Sequence, residues 1–199
     1  NEALKDDGVM LLSSFNSGYR QITCNFPIRN LSDMKGAKIR VVPSDLYQQL
    51  FTAFGAAATP MAFSEVPTAL ITNVIDGQEN PYSVIVSSAL YEVQKYCMET
   101  NHLPTNHGLW MNRNTYESLT PEQQEAVLKA AYDASAYMDK YILDKVEEYK
   151  KICEDNGMEI IDAENGLDID GFKAAAENVY DYFAEDWGDM PDLIRAIQP

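Results

Sequence analysis

Residues 121–155 constrain this chain more than any other stretch. Thr120-Pro121-Glu122-Gln123 carries the pattern of a capping box with proline at the first helical position. Apolar or small residues then recur at Leu128, Ala131, Ser135, Met138, Ile142, Val146, Tyr149 and Cys153, in steps of three and four, until Asn156-Gly157 stops them. The pattern predicts one helix of about 35 residues, roughly 50 Å long at about 1.5 Å per residue. A coiled-coil dimer could use such a helix, but the seam is too mixed for strict heptads. A helix spanning two lobes fits better.

The elements before it are short and alternate in character. Lys38–Val42 reads as a strand. Ser44 is placed to cap a helix carrying Leu46, Leu50, Phe51 and Phe54, ended by Gly55. Ser64 is placed to cap a second, with Val66, Leu70 and Ile71 on it and Pro67 in its first turn. Val74-Ile75 forms a brief apolar stretch ending in an Asp76-Gly77 turn. Asn80 then reads as an N-cap, with Pro81 at the first helical position. Leu109-Trp110-Met111 and Met158–Ile161 are further strand candidates. Two closing helices carry Phe172, Val179, Tyr182 and Phe183, then Leu193, Ile194 and Ile197. Short strands alternating with helices indicate an α/β sheet.

Charge excludes some partners. The chain has 31 acids against 15 bases and a net charge of −16. Nucleic acid, whose phosphates need a basic face, is not expected, nor is electrostatic binding to an anionic membrane. No run approaches the roughly 18 apolar residues of a membrane span. The start at Asn1 carries neither an initiator methionine nor a signal peptide, which reads as a processed or excised piece. Cys24, Cys97 and Cys153 are odd in number and scattered, which favours buried free thiols over a disulfide framework.

Against that acidic background two of the five arginines stand out. Arg20 follows Phe15-Asn16-Ser17-Gly18-Tyr19, and Arg40 lies inside Lys38-Ile39-Arg40-Val41-Val42, each in or at the end of a strand-like segment. A guanidinium matches a carboxylate bidentately. An acidic protein repels anions at long range, so an anion site here must be local. Surface ion pairs are the plainer reading of the same two residues. Phe63, taken alone, reads as core. His102 and His107 lie in a proline-containing loop without further ligands in a metal pattern, so no metal site is expected. Ser64 lacks a nucleophile-elbow context, no glycine-rich phosphate loop is present, and no cofactor or catalytic residue is expected.

Four strings resemble one family in order. They are Leu31-Ser32-Asp33-Met34-Lys35-Gly36-Ala37-Lys38-Ile39-Arg40-Val41; Thr59-Pro60-Met61-Ala62-Phe63-Ser64-Glu65-Val66; Asp76-Gly77-Gln78-Glu79-Asn80-Pro81; and Tyr91-Glu92-Val93-Gln94-Lys95-Tyr96 through Thr100-Asn101-His102. Together they resemble the solute-binding subunit of tripartite ATP-independent periplasmic (TRAP) transporters, the DctP type, over the C-terminal two-thirds of a member. The resemblance implies an α/β, two-lobed periplasmic-binding-protein fold of class II-like type, truncated at the N-terminus, with the long helix spanning the lobes. It implies a division into 1–17, a remnant of the first lobe; 18–105, the second lobe with the carboxylate site; 106–145, a return segment to the first lobe and the first part of the long helix; and 146–199, the end of the long helix and C-terminal helices packing on the second lobe.

It also implies function. Such a protein captures an organic acid (a dicarboxylate, a sugar acid or a related acid) and delivers it to the membrane subunits of the transporter. The expected location is periplasmic or extracellular, with a lipid anchor at the cell surface as one form. By resemblance Arg40 salt-bridges the ligand carboxylate, Arg20 lies beside it, and Asn80 hydrogen-bonds the same group. Phe63 walls the pocket, and His102 joins the polar network behind it. Val42 before Pro43 and Pro67, where relatives place tyrosine, depart from the family pattern away from these anchors. A carboxylate sensor or an enzyme on the same scaffold is the competing class.

Overall fold

The computed structural model describes residue 1, residue 4 and residues 6–197; the outer divisions expected above include residues 2, 3, 5, 198 and 199, which lie outside it. Among the described residues seven strands form one mixed sheet: β1 Val9–Cys24, β2 Lys38–Val41, β3 Ala57–Pro60, β4 Gly77–Pro81, β5 Tyr96–Met98, β6 Pro104–Asn112 and β7 Glu159–Ile161. Their order is β3-β2-β4-β1-β5-β7, with β6 also on β1.

Strand β1 is 16 residues long and serves two neighbourhoods. Its first part, Val9 to Tyr19, pairs antiparallel with β6. Its end, Arg20 to Cys24, lies between β4 and β5. The pairs β2–β3, β2–β4 and β5–β7 are parallel, so β1 runs against the direction of the strands around it.

Helices cover both faces. On one, α2 (Asp45–Ala53) and α7 (Ile169–Tyr182) close over Ile22, Ile39, Val41, Phe51, Phe54 and Met98. On the other, α3 (Val66–Ile71) and α4 (Tyr82–Ser87) pack with Ile75, Cys97, Cys153 and Ile160. Alternation along a strand sends neighbouring side chains to opposite faces. Ile39 and Val41 belong to the first core, so Arg40 between them belongs to the second face.

The long helix is α6, Pro121–Asp155, and its Thr120–Gln123 capping box is formed in both directions. It lies along β1, where Ser13 Oγ donates to the Ala131 carbonyl at 2.9 Å and the Asn16 N–H donates to Asp139 Oδ1 at 2.7 Å. Its far end reaches the second core through Cys153. One helix therefore braces both parts of β1. The short helices α1 (Leu31–Met34), α5 (Arg113–Glu117) and α8 (Ala184–Trp187), and the terminal α9 (Met190–Ile197), complete the chain.

Local expectations fail at three places. Asp76-Gly77 is not a turn: Gly77 begins β4, and a Cβ there would meet the Thr23 carbonyl oxygen at 2.2 Å. Glycine is needed because β1 approaches so closely. Asn80 does not cap α4; it lies inside β4, and Pro81 takes the cap position in extended geometry. Central pairing of β4 between β1 and β2 outweighs the local Asn-Pro signal. Ser64 likewise caps nothing: it sits within a 3-10 turn, Phe63–Glu65, ahead of α3. Ser44 is the N-cap residue of α2, but its side chain makes no capping bond. All three cysteines are buried free thiols, and burial pushes Cys24 and Cys153 up to about 11, away from reactivity.

Candidate functional site: an arginine-bearing edge of the sheet

The ends of β2 and β4 and the middle of β1 meet at one edge of the sheet. Ligands of open α/β sheets bind outside the carboxyl ends of the strands. Register places Arg20 opposite Pro81, Gln21 opposite Asn80 and Arg40 opposite Gln78.

Arg20 is 5% exposed and Glu79 is completely buried, so their pair is desolvated. Arg20 Nε donates to Glu79 Oε2, and Nη2 donates to Glu79 Oε1 at 2.9 Å and to the Glu79 carbonyl at 2.8 Å. The same Nη2 lies 2.9 Å from Asn80 Oδ1, while Asn80 Nδ2 donates to Gln78 Oε1 at 2.5 Å. Gln78 Nε2 donates in turn to Thr23 Oγ1 at 2.9 Å, and Thr23 Oγ1 to Gln94 Oε1 at 3.0 Å. Asn80 is thus oriented by bonds at both ends of its amide.

His102 closes the network from behind. Its Nε2 is 3.3 Å from Glu79 Oε2, and its Nδ1 is 2.7 Å from Thr100 Oγ1. A carboxylate oxygen accepts, so Nε2 carries the proton and Nδ1 accepts from the threonine. Burial holds the imidazole below its usual value, against the opposing pull of Glu79. The sign follows: a histidine kept neutral when folded supports stability above the unfolded value near 6.5, and that support is lost as pH falls below it. Unfolding midpoints at pH 7 and pH 5 should therefore differ more in the native protein than in His102→Gln. An equal pH response in both would refute this.

Arg40 differs from the other arginines. Among the described residues, Arg20, Arg29, Arg113 and Arg195 each have a carboxylate within ion-pair distance. Arg40, at 3% exposed, has none; its Nε and Nη2 donate to the Met61 carbonyl at 3.0 and 2.8 Å. The guanidinium lies 5.6 Å from the Phe63 ring centroid. Burial holds Arg40 below the usual arginine value, with Glu79 opposing and Arg20 adding to the effect. A guanidinium stays protonated all the same. Arg20 and Glu79 cancel, so among the described residues the edge is left with the positive charge of Arg40 uncompensated.

The structure thus links Arg20 to Asn80 directly and to His102 through Glu79, and pairs Arg40 with Phe63. Phe63 is 37% exposed, so it is not core. His107 stands apart, bonded to Ser17 Oγ at 2.9 Å and stacked on Phe15. Two residues escaped the sequence reading. Glu79 lay in view in Gly77-Gln78-Glu79-Asn80-Pro81, but its partner is 59 residues away. Tyr47, whose ring centroid is 5.2 Å from the Arg20 guanidinium, shares a helix face with Leu50 and Phe51, which was the available signal. A cavity of about 590 Å³ is lined by His102, Lys150, Asp162 and Lys173, and none of Arg20, Arg40 and Asn80 lines it.

Residues 1–186 match the family described as bacterial extracellular solute-binding protein, family 7, DctP. A solute-binding protein of Chromohalobacter salexigens is 33% identical over 198 residues, covering 99% of this chain and 58% of its own length. The 2,3-diketo-L-gulonate-binding periplasmic protein YiaO of Escherichia coli is 32% identical over 197 residues, covering 98% of this chain and 59% of its own. The chain thus spans under three-fifths of the length of these curated relatives. Among solved structures, a TRAP periplasmic solute-binding protein of Chromohalobacter salexigens with bound D-glucuronate superposes with a TM-score of 0.90 at 33% identity, covering 99% of this chain and 65% of that one. The chain has the mixed α/β fold of these two-lobed proteins and belongs to the DctP family of bacterial extracellular solute-binding proteins.

Proposed function

We propose that this chain forms the carboxylate-binding part of an extracytoplasmic solute-binding protein, which captures an organic acid and passes it to the membrane subunits of a TRAP transporter. The observation that carries the reading is Arg40: a buried arginine without a carboxylate partner among the described residues of a chain with 31 acids. A buried charge needs a counter-charge, and an incoming carboxylate supplies one. In this reading Arg40 is the anchor, Asn80 a second donor, Phe63 the apolar wall, and Arg20 with Glu79 and His102 the frame behind them. Arg20 is more a positioning residue than a contact, since its Nε and Nη2 are spent on Glu79 and Asn80.

Binding without turnover fits the same edge. Glu79 and His102, two groups of this edge that could move a proton, are buried and bonded to each other. The names of relatives, a 2,3-diketo-L-gulonate binder and a D-glucuronate complex, favour sugar acids as the first class to try. Among the described residues no helix is long and apolar enough to cross a membrane, and a periplasmic or extracellular location is proposed from the relatives. We retain the division into a second lobe over 18–105 and a return segment over 106–145, flanked by 1–17 and 146–199.

A thermal-shift screen of sugar acids, dicarboxylates and hydroxy acids on the full-length protein tests the reading. Stabilisation by one class is expected, and no response to any acid would refute it. The 199-residue chain alone should bind the same acid at least 100-fold more weakly, because a cleft missing one wall loses contacts and exclusion of water. Calorimetry on both forms measures this; equal affinities would remove the second lobe from the site.

A further inference from the structure

We propose that the cavity lined by Lys150, Asp162 and Lys173 is a second binding site, for an amphipathic zwitterion between a free amino acid and a dipeptide in size. Its ammonium is held by Glu99 and Asp162, its carboxylate by Lys173 and its apolar body by Phe172. The proposal goes beyond the carboxylate reading and does not rest on it, since none of Arg20, Arg40, Phe63 and Asn80 lines this cavity. A volume of about 590 Å³ is in the range of small-molecule sites.

Parallel pairing brings the acids together. Glu99 is the first residue after β5 and Asp162 the first after β7, and Met98 lies opposite Ile161. The Glu99 N–H donates to the Ile161 carbonyl at 2.8 Å, which extends the register to the two acids. Lys150 of α6 places its Nζ 2.9 Å from Glu99 Oε1, which also accepts from the Tyr82 hydroxyl at 2.8 Å. Asp162 Oδ1 accepts from the N–H groups of Glu164 and Asn165 at 2.9 and 3.0 Å. Glu99 Oε2 and Asp162 Oδ2 are left without a donor among the described residues. Two acids thus meet one lysine, and Glu164 on the rim adds a further negative charge.

Helix α7 supplies a wall of different character. Ile169, Phe172, Lys173 and Ala176 all line the cavity, and their spacing of three, one and three puts them on one helix face. Phe172 packs edge to face on Phe54, also in the lining, at 5.1 Å. The face is therefore apolar except for Lys173, which is exposed and has no carboxylate within ion-pair distance among the described residues. A plain anion would be repelled by the acids, and a plain cation would leave Lys173 unmatched. A zwitterion with an apolar side group answers both charges and the wall between them.

Calorimetry on the full-length protein tests this with L-leucine, L-phenylalanine and leucyl-leucine. At least one should bind, and its N-acetyl and carboxamide derivatives, each lacking one charge, should bind roughly 10-fold or more weakly. Lys173→Ala should weaken the zwitterion by a similar factor, and Ala176→Phe, which fills the cavity, should abolish binding. Lys173→Ala changes an exposed side chain, so it carries the test if Ala176→Phe fails to fold. Arg40→Ala should leave zwitterion binding unchanged, which keeps failure of this site apart from failure of the carboxylate reading. Absence of binding by all three probes would overturn the proposal. So would a blocked derivative that binds as well as its parent, binding that Lys173→Ala leaves intact, or binding that Arg40→Ala removes.

Discussion

Arg40→Ala in the full-length protein should weaken acid binding by roughly 30- to several thousand-fold, the equivalent of losing about 2–5 kcal/mol from a desolvated charge pair. The prediction rests on the guanidinium being buried and unmatched by a carboxylate among the described residues. Arg40→Lys should also bind poorly. An ammonium keeps the charge but loses the planar fork that holds the Met61 carbonyl on one side and offers donors on the other. Arg195→Ala is the control, because Arg195 is exposed and pairs with Glu177 and Asp192 on the surface. Isothermal titration of the four proteins with one acid separates these cases. An Arg40→Lys protein that matched wild type would place the anchor elsewhere.

Removal of Glu79 should instead be felt as stability. Glu79→Ala leaves Arg20 buried at 5% exposure without its counter-charge, takes a partner from His102 and loosens Asn80. Breaking a buried pair from one side costs about 3–5 kcal/mol, which for a chain of this size lowers the melting temperature by roughly 6–20 °C. The double replacement Arg20→Met with Glu79→Leu should recover much of that loss, since a matched apolar pair leaves no orphaned charge. It should not recover ligand affinity, because Asn80 would lose the bond that aims it. A Glu79→Ala protein melting within 2 °C of wild type would contradict the buried-pair account.

How much of this was legible in the sequence depended on whether the cause was local. The long helix carried its own start, period and stop at Thr120, through Ile142 and Cys153, and at Asn156-Gly157, and it spans Pro121–Asp155 as read. The strand read over Lys38–Val42 was equally plain as an apolar alternation around one arginine, and it ends at Val41. Strand β4 was not, because Gly77-Gln78-Glu79-Asn80-Pro81 has no apolar face and its turn-forming residues imitate a loop and a helix start. Its strand character comes from neighbours on both sides, which no local pattern displays. Arg20, Arg40, Asn80, Phe63 and His102 were named on resemblance, and the structure brings them to one edge. The ion pair that consumes most of Arg20 needed a partner distant in sequence, and so did the contact with Tyr47.

The central claim is that a carboxylate, as an anion, is what this edge binds. The most direct measurement is a calorimetric titration of the full-length protein with the best acid from the screen and with its primary carboxamide, which keeps shape and removes the charge. The account predicts that the carboxamide binds at least 100-fold more weakly, because Arg40 would then stay buried without a counter-charge. A carboxamide that bound as tightly as the acid would contradict it.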